Sequence, residues 1–118
     1  MDIRLQQEPL EINGKTYMLR CNMNVLADVQ EAFDGDFRDA LEAKHSFRGV
    51  LEFLAAMLND YADEQGWPER FTARAVGRLL PMTERESWNF KVARLLVSAL
   101  GGNEKSEESD PNAQTTQS

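Results

Sequence analysis

The sequence predicts a mainly α fold: a small helical domain of about four to five helices, opened by an N-terminal β-hairpin and closed by a disordered acidic C-terminal tail. Three observations carry that expectation. An Asn-Gly pair sits between two short apolar runs near the start. From Asn22 onward the apolar residues recur at helical spacing. After Gly102 the chain NEKSEESDPNAQTTQS holds no side chain large and apolar enough to anchor a core. Residues 1–102 are therefore expected to form one domain and 103–118 a polar tail.

The hairpin comes first. Leu10 to Ile12 and Thr16 to Leu19 flank Asn13-Gly14, residues suited to the positive φ angles of a two-residue turn. Such a turn pairs Ile12 with Lys15 and Leu10 with Tyr17, so Leu10, Ile12, Tyr17 and Leu19 share one face. Ile3 and Leu5 are candidates for a third strand. Two strands alone are marginal in water, so the hairpin has to lean on the helices.

Met23, Leu26, Val29 and Phe33 then mark a short helix, with Asn22 or Asn24 to cap it and Gly35 to end its turn. Asp36 is placed to cap a second run, FRDALEA, that turns Phe37, Ala40 and Leu41 inward; Lys44 and His45 fall in a connection. Ser46 caps the next helix. Its residues Phe47, Val50, Leu51, Leu54, Leu58 and Tyr61 fall within roughly 100° of arc, and Phe53, Ala56 and Met57 widen the stripe. This helix is the expected centre of the core, ending near Gly66. Thr72 opens TARAVGRLL, which Pro81 stops.

Thr83-Glu84-Arg85-Glu86 has the form of a capping box, so the last helix is expected to start there and to run to Leu100 before Gly101-Gly102. Its apolar residues form two stripes. Trp88, Val92, Leu95, Leu96 and Ala99 make one, and Phe90, Ala93 and Val97 make another on a different side. Either the hairpin or the 72–80 helix covers the second stripe, or it is a seam for another chain. Phe90, Ala93 and Val97, with Trp88 as an aromatic anchor, are the candidate partner-binding residues.

Charge and composition narrow the function. The net charge is -7, from 13 bases and 20 acids. Glu104, Glu107, Glu108 and Asp110 against Lys105 put -3 of it in the tail, which leaves -4 for the body. Without a cluster of Lys and Arg, neither nucleic acid nor an anionic membrane is an expected partner. The N-terminus lacks the basic start and apolar run of a signal peptide, and no stretch approaches membrane-spanning length. One cysteine excludes an intramolecular disulfide, and a cytoplasmic address follows as the default.

No catalytic signature emerges, and no enzyme activity is expected. His45 is the one histidine, so a multi-histidine metal site within one chain is impossible, and the pair Glu42/His45 is a surface spacing. Cys21 alternates inward with Leu19 and reads as a small buried apolar residue. Asp34, Asp36 and Asp39 fail the calcium-loop pattern, which needs glycine at Asp39 and an acid at His45. No glycines form a phosphate loop, so no cofactor and no metal are expected.

The order of these pieces resembles a known family. INGKTYMLR runs into NMNVLADVQEAFDGDFRDAL, then SFRGVLEFLAAMLNDYA, then FTARAVGRLL, then a closing helix and polar tail. Over about residues 10–100 this resembles the tail assembly chaperones of long-tailed (siphovirus-type) bacteriophages and prophages. The most telling pieces are Glu31-Ala32-Phe33 at a helix end, the helix begun by Ser46, and Val76-Gly77 in the Thr72 segment. The resemblance implies a helical factor of the host bacterial cytoplasm, absent from the mature virion. It implies binding to the tape measure protein, recruitment of tail tube protein, self-association, and in many members a longer frameshifted product. A structural tail or connector subunit and a bacterial helical adaptor domain are the competing readings.

Overall fold

A computed structural model describes residues 6–42 and 46–100. The expected third strand at Ile3 and Leu5, the connection at Lys44 and His45, the Gly101-Gly102 stop and the tail lie outside the described residues, as do the side chains of Phe37 and Ala40. The rest is a small, mainly helical domain behind an N-terminal hairpin. Strands β1 (Glu8–Ile12) and β2 (Lys15–Leu19) precede helices α1 (Met23–Ala32), α2 (Phe37–Glu42), α3 (Phe47–Gln65), α4 (Ala73–Leu79) and α5 (Arg85–Ala99).

The hairpin has the expected register, Ile12 opposite Lys15 and Leu10 opposite Tyr17. Asn13 (φ 53°) and Gly14 (φ 81°) supply the left-handed pair that the two-residue turn requires. Leu10, Ile12, Tyr17 and Leu19 are buried on one face, and β2 packs on α3. Cys21 follows them inward; its thiol is free and burial pushes its pKa up to about 12. That leaves it a packing residue.

Helix caps fall where short polar residues precede apolar periods. Asn22 Oδ1 accepts from Val25 N at 3.0 Å, Ser46 Oγ from Gly49 N at 3.0 Å, and Thr72 Oγ1 from Ala75 N at 3.1 Å. Asp36 does the same for Asp39 N at 3.1 Å at the head of α2. Gly66, at φ 77°, ends α3 in the left-handed conformation. As the 19-residue centre, α3 buries Phe53, Leu54, Met57 and Leu58, and α1, α4, α5 and β2 all pack on it.

The expected capping box is a correction. Pro81 leads into a single 3₁₀ turn at Met82–Glu84, closed by Glu84 N donating to Pro81 O at 3.0 Å, and α5 starts at Arg85 with no side-chain cap. Two core assignments are corrected as well. Met23 is 78% exposed and Phe47 54% exposed. Each is the first residue of its helix, where the side chain tilts back past the helix start and has no preceding turn to lie on. The α1 core is instead Val25, Leu26 and Val29, with Phe33 packed partly against it.

The hairpin is held at both ends. At the turn end, Tyr17 meets Tyr61, Trp67 and Phe71 edge to face, with centroids 6.1, 5.3 and 5.6 Å away. The Tyr17 hydroxyl donates to Glu69 at 2.8 Å, and Lys15 Nζ reaches the same carboxylate at 2.6 Å while lying 4.4 Å from the Trp67 ring centroid. Asn59 pins the 66–72 loop by donating to Phe71 O at 2.9 Å and accepting from Phe71 N at 2.7 Å. At the open end, the buried Glu8 carboxylate pairs with Arg94 of α5, and Gln6 N donates to Ser98 Oγ at 3.3 Å.

Candidate functional site

Helix α5 has one face against α3 and another that no element among the described residues covers. Val92, Leu95 and Leu96 are buried, and so is Trp88 at 5% exposure, so Trp88 belongs to the core of the domain. Phe90 is 65% exposed and Val97 is 50% exposed; Ala93 between them is half-buried. Neither the hairpin nor α4 covers this second stripe. The hairpin instead reaches α5 through Arg94, whose guanidinium lies 5.8 Å from the Phe90 ring centroid while paired with Glu8.

A second apolar feature adjoins the N-terminal end of α5. The first turns of α3, the end of α4 and the 3₁₀ turn enclose a groove of ≈ 180 Å³, lined chiefly by Phe47, Leu51, Leu54, Leu80, Met82 and Trp88. Trp88 thus forms part of the lining while remaining buried. Arg85 caps one side, its guanidinium 5.4 Å from the Phe47 ring centroid, and Glu84 stands beside it.

The local sequence explains why the groove is open. Pro81 breaks the chain away from α4, and Leu80 is already extended, so no further helical turn fills the space. Gly77 contributes no side chain there; a Cβ at that position would come within 3.3 Å of Leu51 Cδ1. Met82 rides the 3₁₀ turn at the rim and is 71% exposed.

Size decides what the groove can take. An engineered apolar cavity of about 150 Å³ accepts a benzene-sized guest, whereas sites for whole small molecules run to about 300–1,000 Å³. The groove therefore suits one aromatic or branched aliphatic side chain of a larger partner. That is how an amphipathic helix anchors in a surface groove.

Elsewhere the polar chemistry is committed or solvated. The Glu69 carboxyl is drawn down to about 2 by hydrogen bonds from Lys15, its own backbone and Tyr17, but it serves the hairpin clamp. Asp28 on α1 is held above the usual carboxylate range, first by desolvation and then by Glu31, Asp60 and Asp63. Among the described residues, no three His, Cys, Asp or Glu side chains gather as a metal set, and no helix is long and apolar enough to cross a membrane.

Sequence periodicity points to Phe90, Ala93 and Val97 but not to the groove. Phe47, Leu80 and Met82 are scattered over three elements, and only the break at Pro81 marks where they converge. Fold and site together define a small helical domain with an uncovered apolar surface around one helix. No family model, curated protein or solved structure matches the chain.

Proposed function

We propose that this protein is a non-catalytic helix-binding factor: a phage tail assembly chaperone that binds the tape measure protein, keeps it soluble in the host bacterial cytoplasm, and helps recruit tail tube subunits. The observation that supports this reading best is the apolar groove beside α5, with Phe47 and Met82 exposed at its mouth. A chaperone for long apolar helices needs such a surface standing open, and enough net charge to stay dissolved while it does. The order of elements over about residues 10–100 adds the family resemblance.

The test is co-expression with the tape measure protein, followed by pull-down and sizing of the soluble fraction. The expected result is a stable complex with a partner that is insoluble alone. Met82→Asp should lower its affinity about tenfold or more, the scale of an anchor residue lost from a packed pocket, with the fold intact. A tape measure protein that is soluble alone and forms no complex would overturn the proposal.

A further inference from the structure

The groove at the start of α5 has a charged rim around its apolar lining. Arg85 stands in the wall with its guanidinium 5.4 Å from the Phe47 ring centroid, and Lys91 Nζ lies 4.6 Å from the ring centroid of Trp88, which also lines the groove. Arg78 is exposed and follows Gly77, the wall residue from α4. Against these cations stand Glu84, in the wall, and Glu86, whose side chain is 90% exposed. The rim belongs to the basic part of an acidic chain. Residues 70–94 carry Arg70, Arg74, Arg78, Arg85, Lys91 and Arg94 against Glu84 and Glu86, a balance of +4 within a net charge of -7.

These rim cations keep their charge available. Among the described residues, neither Arg78 nor Lys91 takes part in an ion pair. Arg85 has the Glu86 carboxylate 3.6 Å away, but that is a long contact between exposed side chains of adjacent residues, worth little to either. Nor do the rings neutralise Arg85 and Lys91. A ring face attracts a cation through its quadrupole and carries no net charge of its own. A helix that seats one apolar side chain in the groove brings the residues three and four positions away to about 5–6 Å from that anchor, which is where the rim begins.

We infer that the groove selects an acidic helical segment: an apolar anchor in the groove, with carboxylates one turn from it meeting Arg85 and Lys91 at the rim. The apolar side chain supplies contact area, and the charges decide which helix is accepted. This rests on the reading of the groove as a helix-binding site and names the chemistry of the segment it takes. It also runs against the chain's overall charge. A net charge of -7 acting at long range favours a basic partner, whereas the rim favours an acidic one. Near 0.15 M salt the screening length is about 8 Å, so the charges nearest the anchor outweigh the distant acids.

The test uses the purified full-length chain and three synthetic amphipathic peptides with the same Phe- and Leu-bearing face, flanked by Glu in one, Lys in the second and Gln in the third. Fluorescence anisotropy of the labelled peptides at about 0.15 M salt measures binding. The Glu peptide should bind about tenfold more tightly than the Lys peptide, with the Gln peptide between them. Arg85→Glu together with Lys91→Glu should reverse that order. Arg74→Glu, in a separate cleft between α1, α3 and α4, should leave it unchanged. Arg85 and Arg74 are exposed, Lys91 is half-buried, and an acid in the first turn of α5 suits the helix dipole, so circular dichroism should show native helix in each variant.

Equal binding of all three peptides would overturn the inference, and so would tighter binding of the Lys peptide, which would mean that the chain's total charge decides. A preference for the Glu peptide that Arg74→Glu reverses as fully as the rim variant does would overturn it as well. Peptide binding that Met82→Asp leaves untouched would place the peptides outside the groove and count against both readings. Failure to form a complex with the tape measure protein, with the preference for the Glu peptide retained and lost in the rim variant, would count against the proposed function alone.

Discussion

The two ends of the hairpin's support handle apolar surface in opposite ways. Around Tyr17, four aromatic rings close on one another, a hydroxyl and an ammonium share one carboxylate, and Asn59 ties the covering loop down. Around α5, an aromatic ring and two aliphatic side chains, Phe90, Val97 and Leu100, stand half exposed or more, beside an unfilled groove. Both regions are aromatic-rich and both flank the same central helix. The first spends its contacts on the fold, and the second leaves them for another molecule.

The sharpest way to break that comparison is to empty the closed end. Tyr17→Ala should destabilise the domain by about 3–5 kcal/mol, the range for a large buried aromatic lost from a packed cluster, and should free the hairpin from the 66–72 loop. Urea unfolding of wild type and variant measures it. A loss below ~1 kcal/mol would mean that the aromatic cluster is peripheral and the contrast false.

Next in size is the link between the two regions. Arg94→Ala leaves the Glu8 carboxylate buried without its cation. An unsatisfied buried charged acceptor costs about 1–3 kcal/mol or more, reduced here because Arg94 is itself half exposed. Glu8→Gln on the same background should recover part of the loss, since the neutral amide costs less to bury unpaired.

Acid provides a third probe. With its hydrogen-bonded partners, Glu69 is held at about 2 against an ordinary value of 4.5. A carboxyl depressed by folding contributes stability above its unfolded value and loses it as pH falls from 4.5 towards 2. Tyr17 is pushed up to about 12 from 10.0, by desolvation first and then by Glu69, so its contribution is present below pH 10 and lost as pH rises towards 12. Glu69→Gln should flatten the acid limb of a stability-against-pH curve and leave the groove's client binding unchanged.

These contrasts were unequally legible in the amino-acid sequence. The hairpin register follows from Asn13-Gly14 and strict alternation, and the caps at Asn22, Ser46 and Thr72 follow from local backbone chemistry, so each is written within a few residues. The aromatic cluster is not, because Tyr17, Tyr61, Trp67 and Phe71 meet only after the 66–72 loop folds across β2. Helix-wheel extrapolation fails at Met23 and Phe47 for a definite reason: a stripe assumes a preceding turn, and a first helical residue has none. Thr83 matches a capping box, yet Pro81 imposes a 3₁₀ turn that starts α5 two residues beyond Thr83, at Arg85. The α5 stripe could be read as surplus from its own periodicity, while the groove beside it depends on three elements meeting.

The smallest expected effect tests the open end most directly. Phe90→Ser removes a large aromatic side chain, the kind of change that costs several kcal/mol in a core, but here it should alter stability by no more than about 0.5 kcal/mol. The ring is 65% exposed, and Arg94, whose guanidinium lies 5.8 Å from its centroid, keeps its bond to Glu8 without it. Denaturation midpoints measured at low protein concentration, where association contributes nothing, decide the matter. A loss comparable to that of Tyr17→Ala would mean that Phe90 is part of the core, and the distinction between a finished end and an open end would fail. A neutral result there, set against weakened assembly in the same variant at high concentration, places the value of Phe90 in contacts between molecules rather than in the fold.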